Sequence, residues 1–303
     1  MSAHTAPAST SPAPTALAAP TSAAPTPPAR AFALAARPFA APAADKIAPQ
    51  VPAAAPGVGA SRQGGQDASG PGAVPLVDMH LHLDWYRNPG AFAEGLQARG
   101  AGCLGCTVEP AGYEVLAQLV QESALVHPAL GLHPWYLGEK VVRQRQLEDF
   151  CRLAQATAFI GEVGLDFGKA HGESAAQQRA AFAQVCEAVR PDSVMSIHSV
   201  HAAGAVLDQL ETSGRLADCT CIFHWFSGTS DELARAREAG CLFSVGPFML
   251  KSRRGREYAR QIPAAQLLLE TDLPEHPAAP GDPAAHVTLL EEARRTIAKL
   301  KGL

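Results

Sequence analysis

The stretch Val77-Asp78-Met79-His80-Leu81-His82-Leu83-Asp84 decides how the rest of the chain is read. Polar and apolar residues alternate along it, and the apolar Val74, Leu76 and Val77 lead into it. That alternation predicts a β-strand, on which residues two apart project to the same side. His80 and His82 then share a side, with Asp78 and Asp84 expected beside them. Two imidazoles so spaced form one edge of a metal site, because neutral imidazole is the commonest side-chain ligand for transition ions. An ordinary pair of histidines on a half-buried strand has the same spacing, so the choice rests on the residues that follow.

Downstream, short apolar runs alternate with longer amphipathic ones, the pattern of parallel βα units. Strands are expected at 74–83, 103–108, 129–132, 159–165, 194–198, 221–224, 241–245 and 267–271. Helices are expected near 91–100, 111–126, 143–155, 174–190, 202–213, 230–239, 254–261 and 286–300. Eight strands, each followed by a helix, predict an α/β fold, a (β/α)8 TIM-type barrel. The competing open, doubly wound sheet calls for a Gly-rich phosphate loop after its first strand, and none stands there.

Polar residues gather where these strands end. His80 and His82 close the first, Gly131-Leu132-His133-Pro134 the third, and Gly161-Glu162-Val163-Gly164-Leu165-Asp166 the fourth. The fifth ends in Ile197-His198-Ser199, the sixth in His224-Trp225-Phe226-Ser227-Gly228, and the eighth in Leu269-Glu270-Thr271-Asp272-Leu273-Pro274. In a barrel those ends converge on one face, where such enzymes keep their active sites. A buried ionised carboxylate costs several kcal/mol unless paired or metal-bound, so Glu162 and Asp272 require cations. A metal site is the reading that accounts for the six positions together.

Composition divides the chain into a tail, residues 1–72, and a body, 73–303. The tail holds thirteen of the 25 prolines and six charged residues, with no apolar period able to bury a core. Its ordering entropy would go uncompensated, which predicts disorder. It lacks a basic start and an unbroken apolar stretch, so it is a poor signal peptide. No run approaches the roughly 20 apolar residues of a membrane span. The tail carries four basic and two acidic residues, leaving 21 basic and 27 acidic in the body, net −6. A protein that coats nucleic acid carries the opposite balance, so any grip on a polyanion must be local. Seven cysteines in mostly apolar contexts read as buried, reduced thiols in a cytoplasmic protein. Cys103-x-x-Cys106 has the spacing of half a zinc site, but its only close counterpart is Cys219-x-Cys221.

Taken in order, Asp-x-His-x-His, Gly-x-His-Pro, Gly-Glu-x-Gly-Leu-Asp, His-Ser, His-x-Phe-Ser-Gly and Glu-Thr-Asp-x-Pro resemble the TatD family of metal-dependent deoxyribonucleases, within the amidohydrolase superfamily. The resemblance runs from about Leu76 to Pro274. It implies a barrel with two divalent ions, Mg, Mn or Zn, that hydrolyses DNA as a 3′-to-5′ exonuclease on single strands. It also implies the ligands: His80 and His82 on the first ion, Glu162 bridging, His198 and His224 on the second. Asp272 would hold the first ion and act as general base, so Glu162 and Asp272 are the expected catalytic pair. Asp78, Asp84 and Asp166 are candidates to fix histidine tautomers.

Substrate contacts are read more directly. His133 is placed either to touch a phosphate or to cap the end of the third strand. In Lys251-Ser252-Arg253-Arg254-Gly255-Arg256, Lys251 and Arg253 follow the seventh strand and are placed to anchor a backbone phosphate. Trp225, with Trp135 and Phe248, is placed to stack on a base. Val200 stands where the family carries an Arg, which removes one expected phosphate contact. The segments around His224 and Gly240-Cys241-Leu242-Phe243-Ser244-Val245-Gly246-Pro247 also resemble the TatD-type nuclease of Qat antiphage systems, which would bring companion defence proteins. Two other readings stand beside the nuclease: a hydrolase of a small amide, lactone or ester, and a non-catalytic module of a defence complex.

Overall fold

The computed structural model describes residues 76–137 and 140–303. The Ala/Pro-rich stretch 1–72, with its expected boundary at 72–73, lies outside the described residues. Eight parallel strands close into a barrel in chain order: β1 (Leu76–Leu81), β2 (Ala101–Cys106), β3 (Val126–Leu132), β4 (Phe159–Asp166), β5 (Val194–Val200), β6 (Thr220–His224), β7 (Leu242–Val245) and β8 (Leu267–Leu269). Around them run α1 (Pro89–Gln97), α2 (Pro110–Leu119), α3 (Lys140–Ala154), α4 (Ala175–Ala188), α5 (Ala203–Thr212), α6 (Arg215–Asp218), α7 (Ser230–Glu238), α8 (Pro247–Lys251), α9 (Arg253–Gln261) and α10 (Pro283–Lys301).

Local chemistry starts these helices where they start. Proline opens α1, α2, α8 and α10, where a missing N–H costs nothing and φ is already helical. Thr229 and Glu232 cap α7 reciprocally, each side chain taking the other's backbone N–H. The helix expected near 254–261 is present as α9, and the short α8 that precedes it was not expected. Ser252 is extended, and its hydroxyl accepts the Gly255 N–H at 2.8 Å, ending α8 and starting α9.

One buried cluster takes a residue from every strand: Val77, Met79, Leu104, Cys106, Ala129, Phe159, Val194, Ile222, Leu242 and Leu268. Only side chains in the lumen meet across eight strands, so this cluster fills the barrel's interior. A larger apolar layer lies between strands and helices. Gly131 allows β3 to approach β2: a Cβ there would sit 1.6 Å from the Thr107 carbonyl oxygen.

The strands that carry the polar residues depart from strict alternation. Pairing of β1 with β2 shifts register between Asp78 and Leu81, and that of β4 with β5 shifts between Ile160 and Val163. The expectation that Asp78, His80, His82 and Asp84 share one strand side is therefore corrected. The strand ends at Leu81, Asp84 sits in a 3-10 turn, and Asp78 goes its own way. Its carboxylate accepts the Thr271 hydroxyl at 2.6 Å, the Thr271 N–H at 3.1 Å and the His80 N–H at 3.0 Å. His286 Nε2 of α10 lies 2.9 Å away. β8 stops at Leu269 rather than at the expected 271, and beyond it Thr271 bonds to Asp78.

Candidate metal centre

Glu162, 2% exposed in β4, occupies the middle of the polar cluster at the barrel mouth. Its two oxygens face different partners. His80 Nε2 and His82 Nε2 lie 3.3 and 3.4 Å from Oε2. His198 Nδ1, His224 Nε2 and His133 Nε2 lie 2.8, 2.9 and 3.2 Å from Oε1. Asp272 Oδ1 completes the Oε2 side, 3.7 Å from His80 Nε2 and 3.5 Å from His82 Nε2. Asp272 has φ +57°, a left-handed conformation that aspartate tolerates, and its N–H donates to the His80 carbonyl at 3.0 Å. The loop after β8 is thereby laced to the end of β1.

The outer nitrogens of these rings are held as well. His80 Nδ1 lies 2.7 Å from the Ser196 hydroxyl. His82 Nδ1 lies 3.2 Å from the Cys106 carbonyl, an acceptor only, so Nδ1 carries a proton and Nε2 is the nitrogen available to an ion. His198 turns the other way, with Nε2 3.1 Å from Asp166 Oδ2 and Nδ1 on the Glu162 side. His133 has the opposite chemistry. Its Nδ1 accepts the Trp135 N–H at 3.2 Å, capping the 3-10 turn Pro134–Tyr136.

The cluster is short of positive charge. Burial opposes ionisation of Glu162, yet the surrounding His133, His224 and His80 hold its carboxyl well below the usual range. Asp272 is likewise lowered against burial, chiefly by His82. Burial would strip the proton from His82, but Asp272 and Glu162 overcome it and raise the ring to about 9. His198 is raised to about 9 in the same way, by Asp166 and Glu162. Burial and His224 lower His80, whose Nε2 is buried with no hydrogen-bond partner. Carboxylates that draw protons onto imidazoles, beside an orphaned imidazole nitrogen, are the donor set of a divalent transition ion. Among the described residues, three triads bring ligand atoms within 4.8 Å of one another: His80, His82 and Glu162; His80, His224 and Asp272; His133, Glu162 and His198.

Above this floor opens a cavity of about 350 Å³, walled by Trp85, Trp135, Tyr136, Trp225 and Phe248 among others. No Lys or Arg lines it among the described residues. Trp135, 49% exposed, is pinned by its indole N–H to Asp166 Oδ2 at 2.6 Å. Trp225 stacks on Phe248 with ring centres 5.9 Å apart. Lys251 sits outside, its Nζ 4.4 Å over the Phe248 ring, and Arg253 is exposed at the start of α9. The structure thus gathers His80, His82, His133, Glu162, His198, His224 and Asp272, with Asp166 against His198 and Trp225 on the wall. It leaves Lys251 and Arg253 exposed and off the cavity lining, and Asp78 bonded to backbone and Thr271 rather than to a ligand ring.

Sequence reasoning gave no role to Ser196, Trp85 or Glu270. Trp85 stacks on His82 at 4.6 Å. Glu270 is 1% exposed; it accepts the Trp225 N–H at 3.0 Å and the Ser244 hydroxyl, and burial with Asp272 nearby pushes its pKa well up. An acid directly after Leu267-Leu268-Leu269 is the same signal that singled out Glu162.

The profile of the TatD related DNase family matches residues 77–303. The human deoxyribonuclease TATDN3 is 28% identical over 218 residues, 66% of this chain and 78% of that protein. The uncharacterized metal-dependent hydrolase YjjV of Escherichia coli K12 is 29% identical over 213 residues, 67% of this chain and 80% of the relative. The crystal structure of YjjV superposes with a TM-score of 0.60 at 24% identity, covering 74% of this chain and 94% of that one. A TatD family hydrolase from Entamoeba histolytica superposes at 0.55 and 15% identity, covering 75% and 91%. With its closed eight-strand barrel and its carboxylate–imidazole cluster at the strand ends, the chain belongs to the TatD related DNase family of metal-dependent hydrolases.

Proposed function

We propose that this chain hydrolyses DNA phosphodiester bonds with two divalent ions, Mg, Mn or Zn, and works as a 3′-to-5′ exonuclease on single strands. The observation that carries the reading is the division around Glu162, whose two oxygens each face a separate set of imidazole nitrogens. His80, His82 and Asp272 would hold one ion, His198 and His224 the other, with Glu162 common to both. Held there, the ions would supply a more acidic water and neutralisation of charge on the attacking and leaving oxygens.

The chain's own residues do the rest. Asp272 lines the cavity and accepts the proton released when water attacks phosphorus and the bridging oxygen of the scissile bond departs. Asp166 and the Cys106 carbonyl keep His198 and His82 turned the right way. Trp225 offers a face to an unpaired base, while Lys251 and Arg253, outside the cavity, meet phosphates of the strand leading away. Seven free cysteines suit a reducing cytoplasm. An antiphage role beside companion defence proteins belongs to the same proposal and rests on the resemblance of the β6 and β7 segments.

End-labelled single- and double-stranded oligonucleotides, incubated with Mn, with Mg and with EDTA, test the reading. Stepwise shortening of single strands from the 3′ end, abolished by EDTA and by Asp272→Asn, is expected. Metal-loaded protein that leaves every strand intact would overturn it. Two observations favour a second reading, a hydrolase of a small ester, lactone or amide: the cavity wall is free of Lys and Arg among the described residues, and Val200 ends β5. A panel of uncharged substrates separates the two.

A further inference from the structure

We infer that His133 is a hydrogen-bond donor to the substrate and not a ligand of either ion, although it sits as close to Glu162 as the ligands do. The inference rests on the phosphodiesterase reading above. His133 Nδ1 accepts the Trp135 N–H at 3.2 Å, so its lone pair is engaged and it carries no proton. A neutral imidazole keeps one proton, which is then on Nε2, the nitrogen 3.2 Å from Glu162 Oε1. A protonated nitrogen has no lone pair to give an ion. His82 shows the contrast: its Nδ1 faces a carbonyl, which leaves Nε2 open. The turn that follows β3 therefore sets the chemistry of the ring, and capping that turn and presenting a donor are one arrangement.

The ring can only present that donor toward the cavity floor. It is 4% exposed and edge-on to Trp135 at 4.9 Å and to His198 at 4.6 Å, and it lines the cavity. That N–H now faces Glu162 Oε1 at 3.2 Å, and an oxygen of a phosphoryl group seated above Glu162 would share it. No Lys or Arg among the described residues lines the wall to do this, and Val200 supplies no donor at the end of β5. A neutral N–H there would stabilise charge on a non-bridging oxygen without repelling the ions.

His133→Ala and His133→Gln test this, the latter keeping an N–H of similar reach. Each protein is stripped, reconstituted with Mn alone, assayed for bound metal, and then for kcat and KM on a single-stranded oligonucleotide and on bis(p-nitrophenyl) phosphate. The expected result is wild-type metal content in both variants, with kcat/KM of His133→Ala down about 10²-fold. His133→Gln should recover at least tenfold of that loss. If His133→Ala loses an ion that the wild type holds, the residue is a ligand and the inference is overturned. Full metal with full activity would overturn it too, leaving a packing residue. A wild type that binds metal and cleaves neither substrate overturns the phosphodiesterase reading, and the donor role with it.

Discussion

Asp78 gives the sharpest prediction, because the sequence places it beside the metal ligands and the structure puts it under them. Fully buried, its carboxylate accepts from the His80 N–H, the Thr271 N–H and the Thr271 hydroxyl, and His286 Nε2 of α10 is 2.9 Å away. Replacing it by Ala leaves several buried donors without an acceptor, at about 1–3 kcal/mol each before any water enters. Water filling the gap would recover part of this, so a net loss of about 4 kcal/mol is expected, within the range for breaking a buried charged contact. For a domain of this size that lowers the melting temperature by about 10 °C. Thr271 adjoins Asp272, and a shift of about 1 Å in a reacting group costs about 10²-fold in rate. Asp78→Asn keeps one acceptor oxygen and should lose about half as much stability. Calorimetry with and without Mn, alongside metal-dependent hydrolysis, measures both effects. An Asp78→Ala protein that melts within about 2 °C of wild type and cleaves at the wild-type rate would refute the reasoning.

Three further outcomes follow from the same geometry. Ser196→Ala removes the group 2.7 Å from His80 Nδ1 and should weaken metal binding about 10–100-fold with little change in melting, read by equilibrium dialysis. In EDTA, His82 and His198, raised from 6.5 to about 9, lend stability that is fully present below about pH 6.5 and is lost as pH rises through about 9, up to about 3 kcal/mol for each ring. Because metal displaces those protons, saturating Mn should reverse the trend and raise melting temperature with pH, and parallel melts with and without Mn would check it. Trp225→Ala, at a 39% exposed position, should raise KM for single strands about tenfold while kcat and melting temperature stay near wild type, as expected for one lost stacking contact.

Much of this was legible in the chain because its barrel speaks through period and spacing. Glu162 and Asp272 stood out as acids in apolar strand contexts, and His80, His82, His198 and His224 as imidazoles at strand ends, features that need no tertiary knowledge. Glu270 carried the same mark but was hidden between Leu269 and the more familiar Asp272. What the sequence withheld was register. The irregularity in β1 between Asp78 and Leu81 sends Asp78 to Thr271 and α10, and no period-2 reading foresees a bulge. Ser196 was invisible because a serine in a buried strand signals nothing until His80, 116 positions away, meets it. Lys251 and Arg253 follow β7 as read, but they flank the extended Ser252 and neither lines the cavity.

The central claim is that Glu162 lies between two ion sites, and anomalous scattering from crystals soaked in Mn tests it most directly. Two peaks are expected, one beside Oε2 among His80, His82 and Asp272, the other beside Oε1 among His198 and His224, with no peak bonded to His133 Nε2. A single ion, or ions placed so that Glu162 touches neither, would contradict the account.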